Sequence, residues 1–368
     1  MPAPREPSAV FIVAEAGVNH NGSLDMALQL VEAAAHAGAD AVKFQTFRAS
    51  ELATESAPKA GYQAARTGAD ETQFAMLKRL ELDADAHRRL LAASRKHRIE
   101  FMSTAFDEQS LELLVGLGVA RLKCSSGDLT NGPYLLALAR TGLPVILSTG
   151  MATLGDVENA LCVLAYGYTR SAEPRGFEDM GAAYRSAEGK DALQRQVTVL
   201  HCTSAYPAPP SSANLRAMTR MARAFGLKVG YSDHTEGGHI AVAAAALGAA
   251  VIEKHFTLDR SLPGPDHSVS LEPAELKAMV RQVRDVTAAL GTGVKEPADI
   301  ERENMIAGRR SIVAACAIRA GEPLAGRLAA RRPAGALSPM QWWEAQQRTA
   351  NRDYARNESI DESVLAGK

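Results

Sequence analysis

The residues best able to do chemistry recur at one kind of place, the polar end of a short apolar run. Glu15, Lys43 with Gln45, Ser103 with Thr104, Lys123 with Ser125 and Ser126, Ser148, His201 with Thr203, Ser204 and Tyr206, Ser232 with Asp233 and His234, and Glu253 with His255 each close such a run. Lys43 and Lys123 lie within otherwise apolar segments. Together with Ser103, Thr104, Ser126, Ser148 and Ser232 they can form a pocket for phosphate and carboxylate. Either lysine could instead form a Schiff base with a carbonyl substrate. His234 and His255 end successive runs, and two imidazoles with water or a carboxylate suit an open divalent-metal site. The rigid loop Pro263-Gly-Pro-Asp266-His267 can hold Asp266 over such a site. Each residue alone has a blander reading. Thr149 and Asp107 can be helix caps, a single lysine can snorkel to solvent, and His20 and His201 can be satisfied core histidines. The ring as a whole is harder to dismiss, because burying so many polar groups costs stability unless a network or ligand satisfies them.

Positioning such a ring requires many strands that end on one face. Eight apolar runs alternate with helical segments between residues 9 and 291: Ala9–Glu15, Ala41–Gln45, Glu100–Ala105, Ala120–Cys124, Pro144–Ser148, Val197–Cys202, Lys228–Tyr231 and Ala250–His255. They lack strict alternation, as expected of parallel strands covered on both faces. Eight βα units predict a closed α/β (β/α)8 TIM barrel. A doubly wound open sheet is the second choice, but the first turn, Glu15 to Gly22, lacks the dinucleotide-binding glycine spacing. Ser23 can cap the first helix and Gly38 end it. The seventh, Ile240 to Leu247, is nearly all Ala and Val and reads as buried. The eighth starts at Pro273, turns Leu276, Met279, Val280, Val283 and Leu290 inward, and points Arg281 and Arg284 outward.

Residues 47–82 follow the second strand, on the face that carries barrel active sites, and can form a lid or substrate wall. Residues 169–196 are polar and read as a surface excursion with no catalytic role on the opposite face. The domains read as a barrel over 1–291, a linker over 292–305 and a small domain over 306–368, where short runs such as Ser311–Val313 alternate with Gly and Pro.

Composition narrows the partners. The 368 residues carry a formal net charge of −1, with no basic excess to suggest nucleic acid or a membrane surface. No apolar stretch is long enough to span a bilayer or act as a signal segment. The four cysteines form no CxxC pair, as suits a reducing cytoplasm.

Seven ordered runs resemble the bacterial sialic acid synthases: Ala14 to Gly22, Val42 to Thr46, Leu147 to Met151, Leu200 to Thr203 with Tyr206-Pro207, Gly230 to Thr235, Ile252 to Thr257, and Gly264-Pro-Asp266. Arg309 to Val313 and Ile318 to Glu322 look like that family's antifreeze-like (SAF) C-terminal domain. The resemblance implies condensation of phosphoenolpyruvate with N-acetylmannosamine or a 2,4-diacetamido-2,4,6-trideoxymannose. The products would be a nine-carbon 2-keto acid and phosphate, released by C–O cleavage. It implies a divalent metal, Mn2+ or Mg2+, on His234 and His255. Phosphoenolpyruvate would be held by Lys43, Thr104, Lys123, Ser126, Ser148, Ser204 and Ser232, and sugar-side or acid/base roles would fall to Glu15, Gln45, Asp128, Tyr206 and Asp266. It further implies a domain-swapped homodimer in which Arg310 clamps the partner's acetamido sugar. Ser204 stands where Asn is common in the family, and Asp128 where Glu is usual. Tyr62-Gln63 and Gln73–Leu80 look more like the neuraminate and legionaminate branch than the pseudaminate synthases. A Schiff-base aldolase and a non-catalytic sugar-binding protein remain the alternatives from other classes.

Overall fold

The computed structural model describes residues 10–59, 61, 64 and 71–366. Eight parallel strands close into one barrel in chain order. They are β1 (Phe11–Gly17), β2 (Ala41–Thr46), β3 (Glu100–Ala105), β4 (Leu122–Cys124), β5 (Val145–Ser148), β6 (Val197–Cys202), β7 (Lys228–Asp233) and β8 (Val251–His255). Eight helices alternate with them: α1 (Leu24–Ala37), α2 (Ala84–His97), α3 (Glu108–Leu117), α4 (Gly132–Arg140), α5 (Leu154–Thr169), α6 (Arg216–Phe225), α7 (His239–Ala246) and α8 (Pro273–Ala289). The β1–β8 pairing that closes the barrel sets Glu15 beside His255.

Side chains two apart on a strand share a face, and this period stacks the barrel interior in layers. Val13, Ala41, Met102, Ile146, Leu200 and Val251 form an apolar plug separate from the main core. Two residues further along the same strands stand Glu15, Lys43, Thr104, Ser148, Cys202 and Glu253, the floor of the polar ring. On β7 the plug level is occupied by Gly230, where a Cβ would collide with the Val251 carbonyl; Ser232 follows at the polar level. The outward faces of the strands and the inner faces of the helices make the large core, with Ile12, Phe44, Leu114, Tyr231 and Val283 all buried.

Local signals explain the helix ends. Ser23 accepts a hydrogen bond from the Met26 amide, and Gly38 ends α1 in the left-handed region at φ 84°. Asp107 caps α3 through the Ser110 amide at 2.7 Å. Thr149 is not a cap; its hydroxyl donates to the Leu200 carbonyl at 2.9 Å, and Thr153 caps α5 instead. Just past α8, Leu290 is exposed rather than inward. Arg284, expected outward, reaches back to Asp40 at 2.6 Å. In α7, Ala241, Ala244 and Ala245 are buried, but Leu247 just beyond its end is 50% exposed, so one face rather than the whole segment is covered.

Residues 169–196, read as an excursion, contain two helices, Phe177–Arg185 and Ala187–Gln196, which bury Ala183, Ala192 and Leu193. The chain divides into two units, Met1–Thr292 and Gly293–Lys368. The second includes a helix at Arg302–Gly308, which begins within the stretch read as linker. It has its own core around Ile312, Leu324, Tyr354 and Ile360. Its strands β9 (Ser311–Ala314) and β10 (Leu328–Arg331) pair antiparallel. Among the described residues no helix is long and apolar enough to cross a membrane.

Candidate active site

The C-terminal strand ends surround a cavity of about 610 Å³. Its lining includes Glu15, Lys43, Gln45, Thr104, Lys123, Ser126, Ser148, Ser204, Tyr206, Ser232, His234, His255 and Asp266. Thirteen of the fifteen expected site residues therefore face one space.

Two ammonium groups form the floor. Lys43 Nζ donates to Thr104 Oγ1 at 3.1 Å and pairs with Glu15 at 2.7 Å. Lys123 Nζ donates to Ser148 Oγ at 2.7 Å. Glu253 lies between the two lysines, 3.8 Å from each, and accepts from Ser232 Oγ at 3.0 Å. All of these side chains are buried, which is tolerable only because two carboxylates offset two cations. Burial pushes the Glu15 carboxyl up to about 7; Lys43 opposes this and Glu253 adds to it. Burial acts the same way on Glu253, yet Lys123 and Lys43 together hold it down at about 2. Two carboxyls in one pocket thus differ widely in proton affinity, a pattern that separates an acid/base group from a fixed charge.

His234 and His255 face each other across the cavity with ring centroids 5.6 Å apart. Tyr206 stacks on His234 at 4.3 Å. His234 Nδ1 lies 2.7 Å from the Thr203 carbonyl, so this nitrogen carries the proton and Nε2 keeps its lone pair. His255 Nδ1 is buried without a hydrogen-bond partner. Burial lowers both imidazoles below the usual histidine range, His255 with further help from His234 and Lys43, so both are in the neutral, ligating form. The donor set fits a divalent metal. Among the described residues no cluster of three His, Cys, Asp or Glu side chains suited to a metal is present, so water and substrate oxygens would complete the coordination.

The backbone also shapes the cavity. Ser126 Oγ accepts from the Gly150 amide at 2.9 Å. A Cβ on Gly150 would collide with Ser204 Oγ and come within 2.9 Å of Cys202 Sγ, so the loop after β5 lies directly on these groups. Asn19 Nδ2 donates to Ser270 Oγ at 2.9 Å, and Ser270 Oγ donates to the Asp266 carbonyl at 2.7 Å. That chain of bonds fixes the loop bearing Asp266.

Several expected residues of the barrel do not line the cavity, and Arg310 lies in the second unit. Asp128 is not on the cavity wall. It ends a short 3-10 turn and accepts from Ser125 Oγ at 2.5 Å, which occupies its carboxylate locally. Arg310 belongs to the second unit, exposed, with its guanidinium near the Ala330 carbonyl at 3.4 Å. Ser103 points out of the barrel to Thr46 Oγ1 at 2.7 Å. His201 binds the Ala213 carbonyl at 2.8 Å, and His20 accepts from the Gly22 amide at 3.0 Å; both are structural. Tyr62 and Gln63 lie outside the described residues. Glu253, named above only as a strand-end group without a role, and Cys202 also line the cavity. The signal for both was the two-residue period, since each follows a plug residue by two and Glu253 precedes His255 by two.

Residues 30–295 match the model of the NeuB family. The chain is 45% identical over 354 residues to the N,N'-diacetyllegionaminic acid synthase of Campylobacter jejuni, covering 96% of this chain and 99% of that one. It is 47% identical over 302 residues to the protein of the same name from Legionella pneumophila, covering 82% and 79%. Among solved structures, an N-acetylneuraminic acid (sialic acid) synthetase from Leptospira borgpetersenii matches with a TM-score of 0.66 at 33% identity, covering 81% of this chain and 91% of that chain. A charged barrel mouth of this design, a family match over most of the barrel and 45% identity over nearly the whole length of a relative agree that the chain is an enzyme belonging to the NeuB family of sialic acid synthases.

Proposed function

We propose that the barrel joins phosphoenolpyruvate to a 2,4-diacetamido-2,4,6-trideoxymannose, giving N,N'-diacetyllegionaminic acid and phosphate. One observation carries this reading: two lysines with hydroxyl partners and two facing imidazoles open onto the same cavity. The lysine floor suits the phosphate and carboxylate of phosphoenolpyruvate. His234 and His255 would hold Mn2+ or Mg2+, which when bound polarises the sugar aldehyde. C3 of the enol attacks the aldehyde carbon and a C–C bond forms. Positive charge develops at C2, water adds there, and Glu15, poised near neutrality, takes its proton. The C2–O bond to phosphorus then breaks, the C2 hydroxyl proton passes to the departing phosphate beside Lys43 and Lys123, and a ketone remains. Asp266, held over the cavity, is the group suited to protonate the aldehyde oxygen. The 45% and 47% identities to two N,N'-diacetyllegionaminic acid synthases favour the diacetamido sugar over N-acetylmannosamine. The resemblance to SAF-bearing synthases supports a homodimer in which Arg310 serves the neighbouring copy.

The test is phosphate release from phosphoenolpyruvate with Mn2+, offering each sugar in parallel, with and without EDTA. EDTA-sensitive release with the diacetamido sugar is expected. EDTA-resistant turnover with borohydride trapping of Lys43 or Lys123 would instead establish the Schiff-base reading.

A further inference from the structure

The cavity has two unlike sides. Its floor is charged and hydroxylated, whereas the rim beside β1, β2 and β3 is apolar. Val18, Leu52, Met76, Leu77, Leu80 and Phe106 all face the cavity. They belong to a hydrophobic cluster separate from the barrel core. Met76, Leu77 and Leu80 come from one helix, Gln73–Leu80, capped by Thr72. That helix is clamped in place. Gly22 sits at φ 76°, and a Cβ there would collide with the Arg79 carbonyl, so the first βα loop lies directly on the helix. The Ala49 amide donates to Glu81 Oε1 at 2.6 Å just beyond its end.

We infer that the Gln73–Leu80 helix reads the deoxygenated edge of the acceptor sugar. This rests on the proposed function, because the phosphate and carboxylate of phosphoenolpyruvate claim the cationic floor. The acceptor must then extend from the imidazole pair toward the rim. A 2,4-diacetamido-2,4,6-trideoxymannose offers a C6 methyl and two acetyl methyls, which gain by burial against Met76, Leu77 and Leu80. N-acetylmannosamine would press a C6 hydroxyl against the same side chains and lose its hydrogen bonds to water. Gln73, at the cavity edge of the same helix, can hydrogen-bond an acetamido group and orient those methyls.

The experiment compares kcat/KM for both sugars in the full-length wild type, Met76→Gln and Leu77→Asn, with KM for phosphoenolpyruvate and thermal unfolding measured alongside. For the diacetamido sugar a fall of roughly 10- to 100-fold is expected, with N-acetylmannosamine changed by no more than about threefold and KM for phosphoenolpyruvate unmoved. Leu52→Asn, on a different segment of the same rim, carries the identical test if the helix variants fail to fold. Equal losses for both sugars, or an unchanged ratio in active variants, overturn the inference alone. A wild type that releases phosphate with neither sugar overturns the proposed function and this inference with it.

Discussion

Glu15 and Glu253 show how one pocket assigns different tasks to the same side chain. Glu253 faces both lysines and stays ionised, while Glu15 shares only Lys43 closely and titrates at about 7. If Glu15 is the base, log kcat should rise with pH to an inflection near 7, and Glu15→Gln should abolish that limb; a limb that persists in the variant assigns it to another group. The same shift has a stability consequence. The folded pKa lies above the unfolded 4.5, so wild-type stability should fall as pH rises from 4.5 to 7 and then level off. Melting curves should show Glu15→Gln gaining on wild type across that window. Lys123 donates to Ser148 and neutralises Glu253. Lys123→Ala should raise KM for phosphoenolpyruvate, lower kcat, and cut kcat/KM by roughly 100- to 1,000-fold. Wild-type constants in that variant would remove Lys123 from the phosphate site.

The strands and loops were legible to different degrees, and the reasons are physical. A parallel strand covered on both faces is a short, near-continuous apolar run without strict alternation, and the starts of β2, β3, β6 and β7 could be placed to the residue. Within a strand the period of two decides which polar groups point inward. That rule separates Thr104 from Ser103 and finds Glu253 and Cys202, none of which composition alone can sort. Loop contacts carry no such period. Whether Asp128 reaches the cavity depended on Ser125 turning toward it. The apolar rim on Gln73–Leu80 depended on a cluster formed from three loops. The helices within 169–196 were masked by polar outer faces covering a few buried alanines. At this scale Gly150 is the sensitive point. Gly150→Ala would force Ser204, Cys202 and Ser126 apart, and a shift of about 1 Å at reacting groups can cost roughly 100-fold in rate. Circular dichroism of the variant should stay native while kcat drops; unchanged kcat would mean the loop can move aside freely.

For the whole molecule, the question is whether the second unit acts on its own chain or on a second copy. Arg310→Ala should raise KM for the amino sugar by roughly 10- to 100-fold, the scale of a lost charge-assisted hydrogen bond, and leave KM for phosphoenolpyruvate alone. If Arg310 acts between copies of a dimer, co-expressing Lys123→Ala with Arg310→Ala chains should restore roughly a quarter of wild-type activity, because half the dimers then contain one intact site. No recovery would confine Arg310 to its own chain or exclude it from catalysis.

The apolar plug of Val13, Ala41, Met102, Ile146, Leu200 and Val251 fills the barrel beneath the lysine floor, so among the described residues nothing opens the cavity from below. Whatever binds deepest must enter first and leave last. If phosphoenolpyruvate occupies the lysine floor, it should load before the sugar, and phosphate, held by Lys43 and Lys123, should be the last product to leave. Inorganic phosphate should accordingly compete with phosphoenolpyruvate but not with the sugar, and a steady-state inhibition study reads that traffic directly.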